Sequence, residues 1–329
     1  MIEVSGLTKT YGPKRAVDDV SFTVQPGQVT GFLGPNGAGK STTMRMILGL
    51  EKPSAGTALV DGTSYRSLKS PLSSVGALLE ARAVHPRRSG LNHLRSMALT
   101  HGIPRSRVDE VIEITGLTSA AKKKVGGYSL GMGQRLGIAA AILGDPSTVI
   151  LDEPVNGLDP EGVVWVRQMA RHLASQGKTV FLSSHLMSEM SQTADHLIVI
   201  GQGKILADES LQQFLQRAGD DRTLIRTDDS QSFREYLSAE GLQVQDHDGG
   251  LLVSAGGREL AERAQSQGVL LWEISPQEAS LEQVYMSMTQ DSVEYRSADP
   301  AADRSAANPS TPWQGESEGR HAAPIEEEK

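Results

Sequence analysis

Apolar positions along the first 210 or so residues fall into short blocks with two alternating rhythms. Runs rich in Val, Ile, Leu and Phe predict strands over residues 16–24, 29–33, 57–60, 75–79, 147–152, 178–184 and 196–200. Between them, apolar residues three and four apart predict helices over 39–48, 91–100, 105–115, 134–143, 162–175 and 186–192. Strands separated by helices imply an α/β fold with a largely parallel sheet, whose ligands lie at the carboxyl ends of the strands.

The rhythm changes after glycines at 201 and 203 and a short helical stretch over 211–216. RTLIRT, SFREYLSAEG, LQVQDHDGGLLVSAG, RELAERAQSQG, VLLWEIS and SLEQVYMSM read as β-α-ββ-α-β-α, with a hairpin turn at DHDGG. This is the order of a small ferredoxin-like α+β module, and it carries no catalytic constellation. From Asp291 the chain is Ala, Ser, Pro and Glu with little periodicity and ends in EEEK, an acidic tail expected to be disordered. The expected division is therefore 1–215, 222–290 and 291–329.

Composition removes several function classes. The net charge of −8 and an aromatic content of 4% speak against a nucleic acid partner. The chain has no cysteine, which excludes disulfides, thiol nucleophiles and thiolate metal sites and suits a reducing cytoplasm. MIEVSGLTKTYG has no apolar core of a secretory signal, and no apolar run nears the roughly 20 residues that span a bilayer. Any work at a membrane is expected to pass through a partner.

The densest chemistry is GPNGAGKST: Gly34, Pro35, Asn36, Gly37, Ala38, Gly39, Lys40, Ser41 and Thr42. It fits G-x-x-x-x-G-K-[ST] in full, after a strand and before a helix. Glycines let backbone N–H groups converge on anionic oxygens, and the helix points its positive end the same way. Lys40 is expected to reach the β- and γ-phosphates and Ser41 to bind Mg²⁺. Such a loop needs a carboxylate at a neighbouring strand end, and STVILDEP supplies Asp152 for Mg²⁺ and Glu153 to take a proton from an attacking water.

YSLGMGQRL (128–136), NGLDP (156–160) and SSHL (183–186) complete an ordered set. With the phosphate loop and DEP, they resemble the ATP-binding subunit of ATP-binding cassette (ABC) transporters over about residues 1–215. The resemblance implies a P-loop NTPase cassette fold: a RecA-like core, an antiparallel β subdomain and a helical signature subdomain. It implies that Tyr11 stacks on adenine and that Ser129 and Gly131 bind the γ-phosphate of ATP held by a second copy. Asp159 then couples the two sites and His185 touches the γ-phosphate. Two copies are expected to sandwich ATP head to tail, so that ATP joins them and hydrolysis parts them.

The sequence departs from the family at two places. The signature, usually LSGGQ, reads Tyr128-Ser129-Leu130-Gly131-Met132, keeping the serine and second glycine. Where the family places a glutamine after a strand, this chain has Glu80, which has two readings of equal weight: a ligand of Mg²⁺ or water, and a solvated strand-end residue. Glu80 and the ARAVHPRRSGLN that follows are similar to exporters of the daunorubicin- and bacitracin-resistance type, as is the C-terminal module. That implies an Mg-ATP-driven homodimer at the cytoplasmic face of the membrane, exporting a drug, antibiotic or other amphipathic compound through a separately encoded multi-span permease. The segment from about residue 80 to 92 is then part of the groove for a permease helix. The alternatives are a soluble non-transport cassette ATPase and an ATP-switched regulatory module. The first usually carries two cassettes, zinc modules or basic arms; the second would not turn over ATP. A sugar importer would more often have glutamine at position 80 and a β-barrel extension.

Overall fold

The computed structural model describes residues 1–80, 84–216 and 222–277, and the single positions Leu281, Val284 and Tyr285. Three sheets organise them. The first is antiparallel, in the order β2-β1-β4, from β1 (Ile2–Tyr11), β2 (Lys14–Val24) and β4 (Ala55–Val60). β1 escapes a two-residue template because its pairing register shifts between Val4 and Leu7 around Gly6, whose φ is 57°. Ile2 and Val4 are buried and so is Leu7, on the other parity.

The second sheet has six strands in the order β5-β6-β7-β3-β8-β9. These are β3 (Val29–Leu33), β5 (Val75–Leu78), β6 (Thr148–Leu151), β7 (Thr179–Ser184), β8 (His196–Gly201) and β9 (Lys204–Ser210). All neighbours are parallel except β9 on β8. β9 was not expected: KILADES is an edge strand in which Ala207 is the one fully buried residue, so its apolar signal is weak. Every residue of β3, β6 and β7 is buried, as in a parallel sheet covered on both faces.

Side chains alternate across this sheet and feed two cores. Phe32, Ile150, Phe181 and Ile198 join the antiparallel sheet and α1 (Lys40–Ile47), with Phe22, Phe32 and Phe181 rings 5.2–5.8 Å apart. Leu33, Val149, Leu151 and Leu182 face the other core, built with α3 (Gly90–Thr100), α4 (Arg105–Ile114), α5 (Leu130–Ile142) and α6 (Pro160–Ser175). A one-turn α2 (Pro71–Ser74), α7 (Met187–Thr193) and α8 (Leu211–Gln216) complete this part.

The third sheet is antiparallel, in the order β11-β12-β10-β13, from β10 (Arg222–Thr227), β11 (Val244–His247), β12 (Gly250–Ser254) and β13 (Leu271–Gln277). With α9 (Ser230–Ala239) and α10 (Gly257–Gln267) it has the ferredoxin-like connection order and its own core around Ile225, Phe233, Leu237, Val253 and Leu260. The expected hairpin turn is present: Asp248 (φ 46°) and Gly249 (φ 70°) are the paired left-handed residues of a two-residue turn. Of the helix expected over 280–288, Leu281, Val284 and Tyr285 are described and buried; its remaining positions, and the tail from 291, lie outside the described residues.

Candidate nucleotide site

The loop over residues 34–39 leaves β3 and enters α1 through two left-handed glycines, Gly37 (φ 84°) and Gly39 (φ 110°). Gly34 and Gly39 have no room for a side chain. A Cβ on Gly34 would lie 2.4 Å from the Ile200 carbonyl oxygen, and one on Gly39 would lie 2.6 Å from that of Ala16. We therefore expect Gly39→Ala to lose both the backbone angle and the close approach, destabilising the fold by about 2 kcal/mol. Thermal unfolding and nucleotide titration check this, and an unshifted melting temperature would contradict it.

α1 begins with no side-chain cap and no acidic residue in its first turn, so its positive end is not neutralised. Lys40 is buried, and its Nζ folds back to donate to the Gly34 carbonyl at 2.7 Å and to that of Pro35 at 3.4 Å. Burial holds its pKa below the usual lysine value, opposed by the nearby charges of Glu153 and Asp152.

The acidic strand end comes to meet it. Glu153 Oε1 is 3.7 Å from Lys40 Nζ, and Glu153 Oε2 is 2.8 Å from His185 Nδ1. Asp152 Oδ1 accepts a 2.5 Å hydrogen bond from Ser183 Oγ, which in turn accepts from the Glu153 amide at 2.9 Å. Lys40, Asp152, Glu153 and His185 thus gather where the parallel strands β3, β6 and β7 end. Ser183 is not among the residues the sequence singles out; a serine next to last in a wholly buried strand, two residues before His185, is the available signal.

Ser129 and Gly131 belong to a second cluster. Ser129 caps α5 by accepting from the Met132 amide at 3.2 Å, and Gly131 stands against the 157–158 turn. Asp159 caps α6 by accepting from the Gly162 amide at 2.9 Å. Tyr11 ends β1 and is 45% exposed, its ring 4.9 Å from the Lys9 ammonium. Its strand pairs with β2, which carries Ala16 past the phosphate loop. Glu80 follows β5 and opens on a cavity of about 420 Å³ shared with Arg45, Leu50, Tyr65, His93 and Met97. Residues 81–83 of the expected groove lie outside the described residues. Among the described residues, no three His, Asp or Glu side chains converge as a metal cage, and no helix is long and apolar enough to cross a membrane.

Comparison with known proteins identifies relatives of this chain. The family model for ABC transporters matches residues 17–156, and one for a domain of unknown function matches 221–282. The bacitracin transport ATP-binding protein BcrA of Bacillus licheniformis is 43% identical over 211 residues, 63% of this chain and 69% of that protein. The daunorubicin/doxorubicin resistance ATP-binding protein DrrA of Streptomyces peucetius is 35% identical over 321 residues, 92% of this chain and 96% of that one. A solved ATP-binding subunit of an ABC transporter superposes with a TM-score of 0.61 at 25% identity, over 66% of this chain and 92% of its own. A glycine loop holding a buried lysine, an acidic strand end turned towards it and relatives spanning nearly the whole chain lead to one family: this protein belongs to the ATP-binding subunits of ABC transporters, which couple ATP hydrolysis to transport.

Proposed function

We propose that this chain is the ATPase of an exporter, and that its hydrolytic centre is the group Lys40, Asp152, Glu153 and His185. The observation that carries the assignment is the Glu153 carboxylate held between Lys40 and His185. The cradle fits a polyphosphate: glycines whose Cβ atoms would collide, an uncapped helix start and a buried ammonium. The Ser41 hydroxyl and the Asp152 carboxylate are hard oxygen donors of the kind Mg²⁺ takes, and phosphate oxygens and water would complete its shell. Bound there, the ion would supply positive charge against that developing on the phosphates. The amides of residues 37–42 hold the phosphates, Glu153 takes the proton of the attacking water, and His185 orients Glu153 while facing the γ-phosphate. Tyr11 offers its exposed ring to the adenine.

Gly131, packed against Gly157 and Leu158, and Ser129, the cap of the same helix, suit contact with nucleotide held by a second copy in a head-to-tail dimer, with Asp159 at the seam. A dimeric ABC cassette, MJ0796, shares the fold with a TM-score of 0.60 at 23% identity. The division into a cassette over 1–215, an accessory module over 222–290 and a tail over 291–329 belongs to this reading. So does a peripheral place at the cytoplasmic face of the membrane.

The cavity beside Glu80 is our candidate seat for a permease helix: apolar walls from Leu48, Leu50, Leu79 and Met97 with charged Arg45 and Glu80 at hand. The names of BcrA and DrrA point to an antibiotic or amphipathic drug as cargo. Leu50 is 66% exposed, so Leu50→Asp is expected to leave ATP binding unchanged and to abolish co-purification with the permease. Retained co-purification would move the docking surface elsewhere.

A further inference from the structure

Glu153 holds an unusual backbone, and two other elements hold it there. Its φ is +49°, a region that side chains other than glycine rarely adopt. Both of its backbone polar groups are engaged by side chains: the amide donates to Ser183 on β7 at 2.9 Å, and the carbonyl accepts from Gln134 Nε2 on α5 at 3.0 Å. Gln134 is 5% exposed, a buried amide aimed at this carbonyl.

The same helix rests on the far end of the same turn. The Leu130 side chain lies over Gly157, where a Cβ would come within 2.1 Å of Leu130 Cδ2, and a Cβ on Gly131 would lie 3.2 Å from the Gly157 carbonyl oxygen. Arg135, next to Gln134, donates to the Thr115 carbonyl at 3.2 Å and lies 4.8 Å from the Trp165 ring on α6. α5 is thus packed against residues 153–158 along its first two turns, and a tilt of α5 pulls on the Glu153 backbone.

We infer that Gln134 is a positioning residue for Glu153, through which the start of α5 sets the aim of the carboxylate in its own chain. The inference rests on Glu153 being the base and deepens that reading. A nucleotide gripped by Ser129 on the partner's side is felt, through α5 and Gln134, at this chain's own site. Losing the Gln134 bond does not orphan the carbonyl, because the Asn156 amide also donates to it at 3.2 Å. What is lost is aim rather than fold.

The test is Gln134→Met, which keeps length and burial and removes the donor. In steady-state ATPase assays of the full chain, kcat is expected to fall about ten- to a hundredfold with KM for ATP within about twofold, since the phosphate loop is untouched. Ile138→Val, on the same buried helix, controls for loosened packing and is expected to keep kcat within about twofold. A parental kcat in Gln134→Met, or a fall matched by Ile138→Val, would overturn the inference. Should Gln134→Met prove insoluble, Gln134→Leu, an apolar side chain that also lacks the donor, is judged by the same criteria. Glu153→Gln separates the two levels: parental turnover there sinks the reading of the base itself, whereas lost turnover there with parental kcat in Gln134→Met sinks only this inference.

Discussion

Glu153→Gln is expected to cut ATP turnover by at least about a hundredfold while leaving nucleotide bound, because an amide cannot take a proton from water. The substitution preserves shape, so the contacts of the Glu153 backbone to Ser183 and Gln134 stay in place. It also removes the negative charge 3.7 Å from Lys40 Nζ, which frees the ammonium for phosphate and favours binding. With hydrolysis blocked, the proposed dimer has no route to release. A lasting dimer in Mg-ATP on a sizing column is the expected readout beside the lost turnover. Turnover at the parental rate would remove Glu153 from the role of base.

Lys40→Ala acts on the opposite property. Its ammonium is buried and donates to the Gly34 carbonyl, with the Glu153 carboxylate 3.7 Å away, and a phosphate offers it an anionic hydrogen-bond acceptor in place of the carbonyl. Truncating one member of a buried charged pair costs about 2–5 kcal/mol, so ATP affinity is expected to fall from about thirtyfold to several thousandfold. The fold should tolerate the change, because burial already disfavours the charged form of this lysine. Titration with a fluorescent nucleotide checks the affinity and thermal unfolding checks the fold. Unchanged affinity in a folded variant would remove the phosphate loop from the site.

The two variants divide binding from chemistry along a line that the sequence already drew. The phosphate loop is legible because its features are local. Glycine spacing, one lysine and one serine lie within a few residues of each other, and each answers to a requirement of that same turn. Strands β3, β6, β7 and β8 were legible for a related reason: burial on both faces writes an uninterrupted apolar run. β1 and β9 were not, since a bulge at Gly6 breaks the alternation of one and the polar edge position of the other dilutes it.

What the sequence determined by itself, then, is the kind of ligand and the order of elements that present it, because both follow from neighbours in the chain. Which groups meet was decided by tertiary structure. Ser183 reaches Asp152 across 31 positions and Gln134 reaches Glu153 across 19, distances over which no periodicity carries information. The left-handed turn at Glu153 is likewise uncoded by its own side chain. A serine near a strand end accepts from its amide and a buried glutamine on a helix donates to its carbonyl, contacts that only the tertiary fold supplies.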